Sequence, residues 1–184
     1  MRAIDIKGKP DLRSVKTDRA LDDAMYDLLR SRNFRKMTVN DICTAALVSR
    51  AAFYAHYNDK YDLLSSWLAR WCPQKSSVGK TYDSIEKTIN EFIYDNKAII
   101  RNIVNDADQG TLDILLQIVL SSLNLAFEDG KPGAASERII LYTVYAGGIV
   151  NYIIWLVKNN FPEEIKAMNR FLFKVIEECR SFDI

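Results

Sequence analysis

Thr38-Val39-Asn40-Asp41-Ile42-Cys43-Thr44-Ala45-Ala46-Leu47-Val48-Ser49-Arg50-Ala51-Ala52-Phe53-Tyr54-Ala55-His56-Tyr57-Asn58-Asp59-Lys60 is the stretch that decides the fold of this 184-residue chain. Thr38 is a good helix N-cap, and Asp41 three residues on resembles a capping box with a shorter acid. Asp41 also sits favourably in the first turn of the helix dipole. Val39, Ile42 and Ala46 supply that helix with an apolar face. Ser49 caps a second helix, in which Phe53 lies where a side chain packs inward. The stretch reads as two short helices joined by a tight turn, a helix-turn-helix, whose second helix enters the DNA major groove.

Upstream, residues 1–14 are polar and mixed in charge and read as a mobile basic arm carrying Arg2, Lys7, Lys9 and Arg13. From Lys16 the helical period appears, with Leu21, Ala24, Met25 and Leu28 on one face. A basic loop over residues 30–36 follows, with Phe34 as an inward anchor. Downstream, Asn58 or Asp59 caps a helix in which Leu64, Trp67, Leu68 and Trp71 repeat in phase. Pro73 stops it, and the polar residues 74–80 are the best domain boundary.

Beyond that boundary Ile85, Ile89, Phe92 and Ile93 share one helical phase, and a shorter helix spans residues 99–104. Residues 106–110 break the chain. Leu112, Leu115, Leu116, Val119, Leu120 and Leu123 then form a strong stripe, which Ile114 and Ile118 widen, so this helix is expected to be buried on most sides. A Gly/Pro loop at 128–135 precedes two helices at 137–159 and 162–180, the second with Pro162 in its first turn. No strand alternation or repeat is visible. The expectation is an all-α chain with an arm at 1–14, a DNA-binding unit at 15–64 and a helical body at 65–184.

Charge divides along the same line. Residues 1–72 hold 13 Lys/Arg and 9 Asp/Glu, a net +4, and residues 73–184 hold 12 and 15, a net −3. A basic front on an acidic back fits a nucleic-acid module carried by a separate body, although chance scatter of charge gives the same numbers. Cys43, Cys72 and Cys179 form no CxxC pair and imply neither a disulfide framework nor a zinc site. The first residues lack the apolar core of a secretory signal, so a cytoplasmic protein is expected. Residues 139–157 are uncharged and about long enough to span a bilayer. Tyr142, Thr143, Tyr145, Asn151 and Tyr152 interrupt them, which favours a helix buried by its own body on one side and a second subunit on the other.

The run Thr38-x-x-x-Ile42, then Ala46-Leu47-Val48-Ser49-Arg50-x-x-Phe53-Tyr54-x-His56-Tyr57-x-x-Lys60-x-x-Leu63, resembles the DNA-binding domain of TetR-family regulators over about residues 16–64. Tyr145-x-Gly147-Gly148 followed by Trp155-Leu156 is similar to the penultimate helix of many members. The resemblance implies about nine helices: three that bind DNA, a linking fourth, and a body holding a ligand pocket and a four-helix dimer interface through the last two helices. It implies double-stranded operator DNA as partner, a homodimer, and release of DNA when a small-molecule effector binds. At Leu47 the family usually has Gly. A left-handed Leu there costs on the order of 1 kcal/mol unless the turn differs or burial of Leu47 offsets it.

Arg50 begins the recognition helix and suits bidentate bonding to guanine, with a phosphate contact or a solvated cap as the plain alternative. Ala51 and Ala55 are expected on the groove-facing side, where a methyl meets a thymine methyl. Sparse direct readout leaves DNA shape and the arm to carry part of the specificity. By resemblance Tyr54, His56 and Lys60 hold phosphates, Thr38 caps its helix and touches one, and Tyr57 packs inward. Ser49 at the helix start completes the DNA-binding set. For the pocket the resemblance points to Trp67, Trp71, Phe92, Ile103, Leu116, Tyr145 and Trp155, with plain core packing as the alternative for each. Gly147-Gly148 marks a close helix approach or a kink. His56 is the single His, and no paired carboxylates, metal spacing or nucleophile constellation is visible, so no enzyme, metal or cofactor is expected. A regulator controlled by a partner protein, acting as an activator, is the competing expectation.

Overall fold

The computed structural model describes residues 12–72, 90–126, 135–164, 167–171 and 174. Its elements are α1 (Leu12–Leu29), a 3-10 turn (Phe34–Lys36), α2 (Val39–Ala46), α3 (Arg50–Tyr54), α4 (Lys60–Trp71), α5 (Lys97–Val104), α6 (Gln109–Ala126) and α7 (Ala135–Lys158). Residues 90–95 and 167–171 are also helical, and no strand occurs among the described residues. The chain is nearly all helix, as its periodicity requires.

α1 starts at Leu12, four residues before Lys16, so residues 12–14 of the expected arm are helical. Arg2, Lys7 and Lys9 lie outside the described residues, as do Ile85, Ile89, Cys179, the loop over 74–80 and most of that over 128–135. α1 buries Leu21, Ala24, Met25 and Leu29. These pack with Phe34, Ile42, Phe53, Leu63, Leu64 and Trp67 in one core, which Ile99 and Ile103 of α5 complete from the body side. The division expected at residue 64 falls inside α4, a continuous helix joining the module to the body.

Polar contacts reinforce that junction. Asn33 Nδ2 donates to the Asn105 carbonyl (2.7 Å), Arg35 Nη1 to that of Asp106 (3.3 Å) and Asn102 Nδ2 to that of Leu29 (2.9 Å). Tyr61 Oη donates to Asp108 (2.5 Å), whose other oxygen caps α6 by accepting from Thr111 N and Oγ1. Gly110 lies against the Tyr61 ring, where an added Cβ would sit 3.4 Å away, in van der Waals contact. Asp106 takes a left-handed backbone (φ 56°) to turn the chain from α5 into α6.

The body is less closed. α6 was expected to be buried on most sides, yet Leu112, Ile114, Leu115, Leu116, Ile118, Val119 and Leu120 are only half-buried. The rest of the chain leaves its leucine stripe partly open. α7 buries Tyr142, Ala146, Val150, Leu156 and Val157 and leaves Ile139, Ile140, Val144 and Trp155 exposed. Ile139–Lys158 is long and apolar enough to cross a membrane by length and composition, with 28% of its apolar window buried. The helix is continuous through Gly147 and Gly148, where a close helix approach or a kink was expected, and an added Cβ at either meets nothing within 4 Å. It ends where Asn160 and Phe161 turn left-handed and Phe161 N–H returns to the Leu156 carbonyl (2.7 Å).

Candidate nucleic-acid interface

The interface is built on two caps. Thr38 has extended backbone, and its hydroxyl accepts from Asp41 N–H (3.1 Å). Asp41 in turn accepts from Thr38 N–H (2.9 Å) and from the Thr38 hydroxyl (2.7 Å). This is the full capping box, made with Asp in place of the longer Glu. The hydrogen bond from the Thr38 side chain, then that from its backbone, holds the Asp41 carboxyl below the ordinary carboxylate range. Thr38 is exposed, but its hydroxyl proton already has a partner.

α2 ends with Leu47 in the left-handed region (φ 55°, ψ 37°). Val48 N–H returns to the Cys43 carbonyl (3.0 Å) and Leu47 N–H to that of Thr44 (3.3 Å), the Schellman pair that satisfies the last carbonyls of a helix. The Leu47 side chain is 93% exposed. Of the expected alternatives, the turn keeps its left-handed geometry and burial does not offset the strain.

Ser49 caps α3 by accepting from Ala52 N–H (3.1 Å). Phe53 and Tyr57, one turn apart, are buried and fasten the helix to α1 and α4. The helical period then turns Arg50, Ala51, Tyr54 and Ala55 outward, and all four are exposed, as is Ser49. The Arg50 guanidinium lies 5.9 Å from the centre of the Tyr54 ring, within cation–π range. Exposed Arg30, Arg32, Arg35 and Lys36 supply positive charge on the preceding loop, where Arg32 also pairs with Asp41 (3.2 Å).

Two residues expected at phosphates have partners inside the protein. His56 is half-buried, with Nδ1 2.8 Å from Asp18 Oδ1. Lys60 Nζ donates to the carbonyls of Phe34 (3.1 Å), Arg35 (3.0 Å) and Met37 (2.9 Å), and lies 4.8 Å from the centre of the Phe34 ring. The Phe34 carbonyl also accepts from Met37 N–H (3.1 Å), and the ammonium has three protons, one for each of the three carbonyls. Burial pushes the Lys60 ammonium below its usual range, against the nearby charge of Asp108. Lys60 is thus a structural pin for the loop before α2. Asp18, Arg70 and Asn33 were not found from sequence, because their partners are distant in the chain. The one local hint is that Asp18 and Asp22 stand one turn apart beside the apolar face of α1.

Of the seven pocket candidates, Trp67, Trp71 and Ile103 share one cluster, with Phe92 against Trp71, while Leu116, Tyr145 and Trp155 lie apart from it. Trp67 stacks on Trp71 (centroids 4.6 Å), and Trp71 meets Phe92 (4.5 Å). Ile103 belongs to the core shared with the DNA-binding module, and Leu116 and Tyr145 line a separate cluster around Leu123, Tyr142 and Ala146. Trp155 is on the open face of α7, beside Tyr152. Burial raises the Cys72 thiol to about 11 and also raises that of Cys43, so neither is primed as a nucleophile. Among the described residues no three His, Cys, Asp or Glu side chains are grouped to hold a metal ion.

A capped helix pair with a positive, outward recognition face defines a helix-turn-helix DNA-binding protein. Residues 23–66 match the model of bacterial regulatory proteins of the tetR family, and residues 80–178, over half the chain, match that of a transcriptional regulator C-terminal region. The chain belongs to the TetR family of transcriptional regulators, whose members are in general DNA-binding proteins rather than enzymes. A 65-residue stretch is 35% identical to the uncharacterized HTH-type transcriptional regulator YxbF of Bacillus subtilis; it spans 35% of this chain but only 17% of that protein. Among solved structures, a TetR transcriptional regulator from Streptococcus agalactiae shares the fold with a TM-score of 0.58 at 18% identity, covering 89% of this chain and 95% of the other. The dihydroxyacetone kinase operon activator DhaS matches with 0.58 at 15% (88% and 94%). The repressor AlkX from Dietzia matches with 0.54 at 19% (86% and 94%).

Proposed function

We propose that the protein is a homodimeric cytoplasmic repressor that sets two α3 helices in successive major grooves of an operator and lets go when a small-molecule effector binds its body. The observation that carries this reading is the outward face of α3, where Ser49, Arg50, Ala51, Tyr54 and Ala55 stay exposed on a helix anchored by Phe53 and Tyr57. Arg50 bonds guanine, Ala51 and Ala55 meet thymine methyls, and Ser49, Tyr54, His56 and the exposed edge of Thr38 line up along phosphates. Lys60 adds its charge from behind the loop that it pins.

The open stripe of α7 supports the dimer. Ile140, Val144, Gly148 and Trp155 follow one another at helical spacing and are all exposed. A second copy covers them without lipid, and the glycine pair, with open space around it, admits a neighbouring helix closely. Phe171, on the helix that follows, is also exposed. Paired recognition helices about 34–36 Å apart engage both half-sites, and an effector that favours another spacing removes the gain from double engagement.

A second reading keeps the DNA and replaces the small molecule by a partner protein, with activation in place of repression. The fold shared with a protein named as an operon activator favours it. Binding of the purified protein to its own promoter region at several salt concentrations tests the common part. Arg50→Ala is expected to weaken binding and relax sequence preference, and Lys60→Ala to weaken all duplexes alike. Weak, sequence-blind binding that ignores Arg50→Ala would refute the assignment of α3. Screening small molecules for release of the bound duplex then separates the two forms of control.

A further inference from the structure

His56 leaves the recognition helix held by an acid from another helix. Asp18 Oδ1 lies 2.8 Å from His56 Nδ1 and also accepts from the Tyr57 hydroxyl (3.1 Å). Tyr57 Oη accepts from Arg70 Nη2 (3.3 Å), and Arg70 is clamped on Asp22 through Nε (2.8 Å) and Nη2 (2.5 Å). The charged and titratable groups joined to His56 are therefore Asp18 and Asp22 of α1, Tyr57 after α3 and Arg70 of α4.

A carboxylate accepts hydrogen bonds and donates none. The imidazole nitrogen that faces Asp18 must then carry the proton. In the neutral ring this leaves Nε2 as a bare lone pair. A phosphate oxygen is also only an acceptor, so a neutral His56 in this tautomer has nothing to offer it. The imidazolium donates from both nitrogens, with Asp18 balancing its charge on the protein side.

We propose that Asp18 is a positioning residue that fixes the tautomer of His56, so that His56 holds a DNA phosphate only as the imidazolium and operator binding takes up a proton in each subunit. The proposal rests on α3 being the DNA-contacting helix, as argued above. A phosphate beside the ring favours its charged form in the complex. The gain in affinity is therefore expected to grow towards acid and to fade as pH rises.

The test uses the full-length protein and a duplex selected by it from random DNA. Affinity is measured at pH 6, 7 and 8 at constant ionic strength, and protons are counted by calorimetric titration in two buffers of different ionisation heat. The wild type is expected to bind at least about fivefold tighter at pH 6 than at pH 8 and to take up protons on binding. His56→Gln, which keeps a neutral donor, is expected to give a flat profile. Asp18→Asn, whose amide can donate to Nδ1 and so release the proton to Nε2, is expected to flatten the profile while retaining binding at pH 8. Equal wild-type affinity at pH 6 and 8 without proton uptake overturns this inference alone, as does a wild-type slope in His56→Gln. Failure to enrich any duplex overturns the assignment of α3 as well. Should a variant fail to fold, as judged by thermal unfolding, the wild-type proton count decides.

Discussion

In the module of α1 to α4, Leu21, Met25, Phe34, Ile42 and Phe53 are fully removed from solvent, and the large apolar side chains left exposed are Leu12, Val15, Tyr26, Leu47 and Tyr54. Along α6 Leu112, Leu115, Leu116 and Leu120 are half-buried, and Ile139, Ile140 and Val144 of α7 face outward. Both regions are helical and amphipathic, but the first completes its core with α5 and with Ile114, Leu115 and Ile118 of α6. The second presents apolar surface that its own chain leaves open. A closed core holds side chains in a fixed pose, which reading DNA requires. An open one invites association, and association is how two such readers are held at a set distance.

Removing the anchor of the closed region should have the largest effect. Phe53→Ala is expected to destabilise the module by about 3–5 kcal/mol, read by denaturant unfolding; a change below about 1 kcal/mol would mean that the core does not depend on that ring. On the open region, Val144→Glu is expected to weaken self-association at least about 100-fold, near 2.7 kcal/mol, with the unfolding of the module unchanged. Sedimentation velocity reads this, and a variant as dimeric as the wild type would place the interface elsewhere.

The contact between the regions gives a smaller, pH-dependent effect. The Tyr61 hydroxyl first, then Thr111 N–H and hydroxyl, hold the Asp108 carboxyl down at about 2, below its ordinary 3.8. Because the folded value is depressed, this contribution is complete above the ordinary value and is lost as pH falls through about 2. Tyr61→Phe is expected to remove about 1 kcal/mol or less at neutral pH and to bring acid unfolding in at higher pH. Unfolding in urea between about pH 2 and pH 5 measures it, and an unchanged acid limb would show that the contact carries no stability.

The smallest effect tests the strained turn. Leu47→Gly relieves about 1–2 kcal/mol of left-handed strain and adds back about 0.5–1 kcal/mol of chain entropy, for a net gain of up to about 1 kcal/mol. A rise in thermal midpoint reads it. A fall would mean that the exposed Leu47 side chain has a partner within the folded protein.

How much was legible follows from the range of the forces. The caps at Thr38, Ser49 and Asp59 act on backbone groups two or three residues away, so residue identity alone places α2, α3 and α4. The inward turn of Phe53 and the outward turn of Arg50 follow from helical period in the same way. The half-burial of α6 was not legible, because an apolar stripe has the same sequence whether its cover is its own body or another subunit.

The sequence by itself determined the helices, their caps, the recognition face and the family, since each depends on neighbours along the chain. The tertiary structure alone decided the partners of three polar side chains. Asp18 meets His56 across 38 residues, Lys60 turns back to the carbonyls of the 3-10 turn, and Tyr61 reaches Asp108 across 47. A buried or half-buried polar group must pair with whatever the packing brings near it. That pairing gives Lys60 and His56, both expected at phosphates, partners inside the protein.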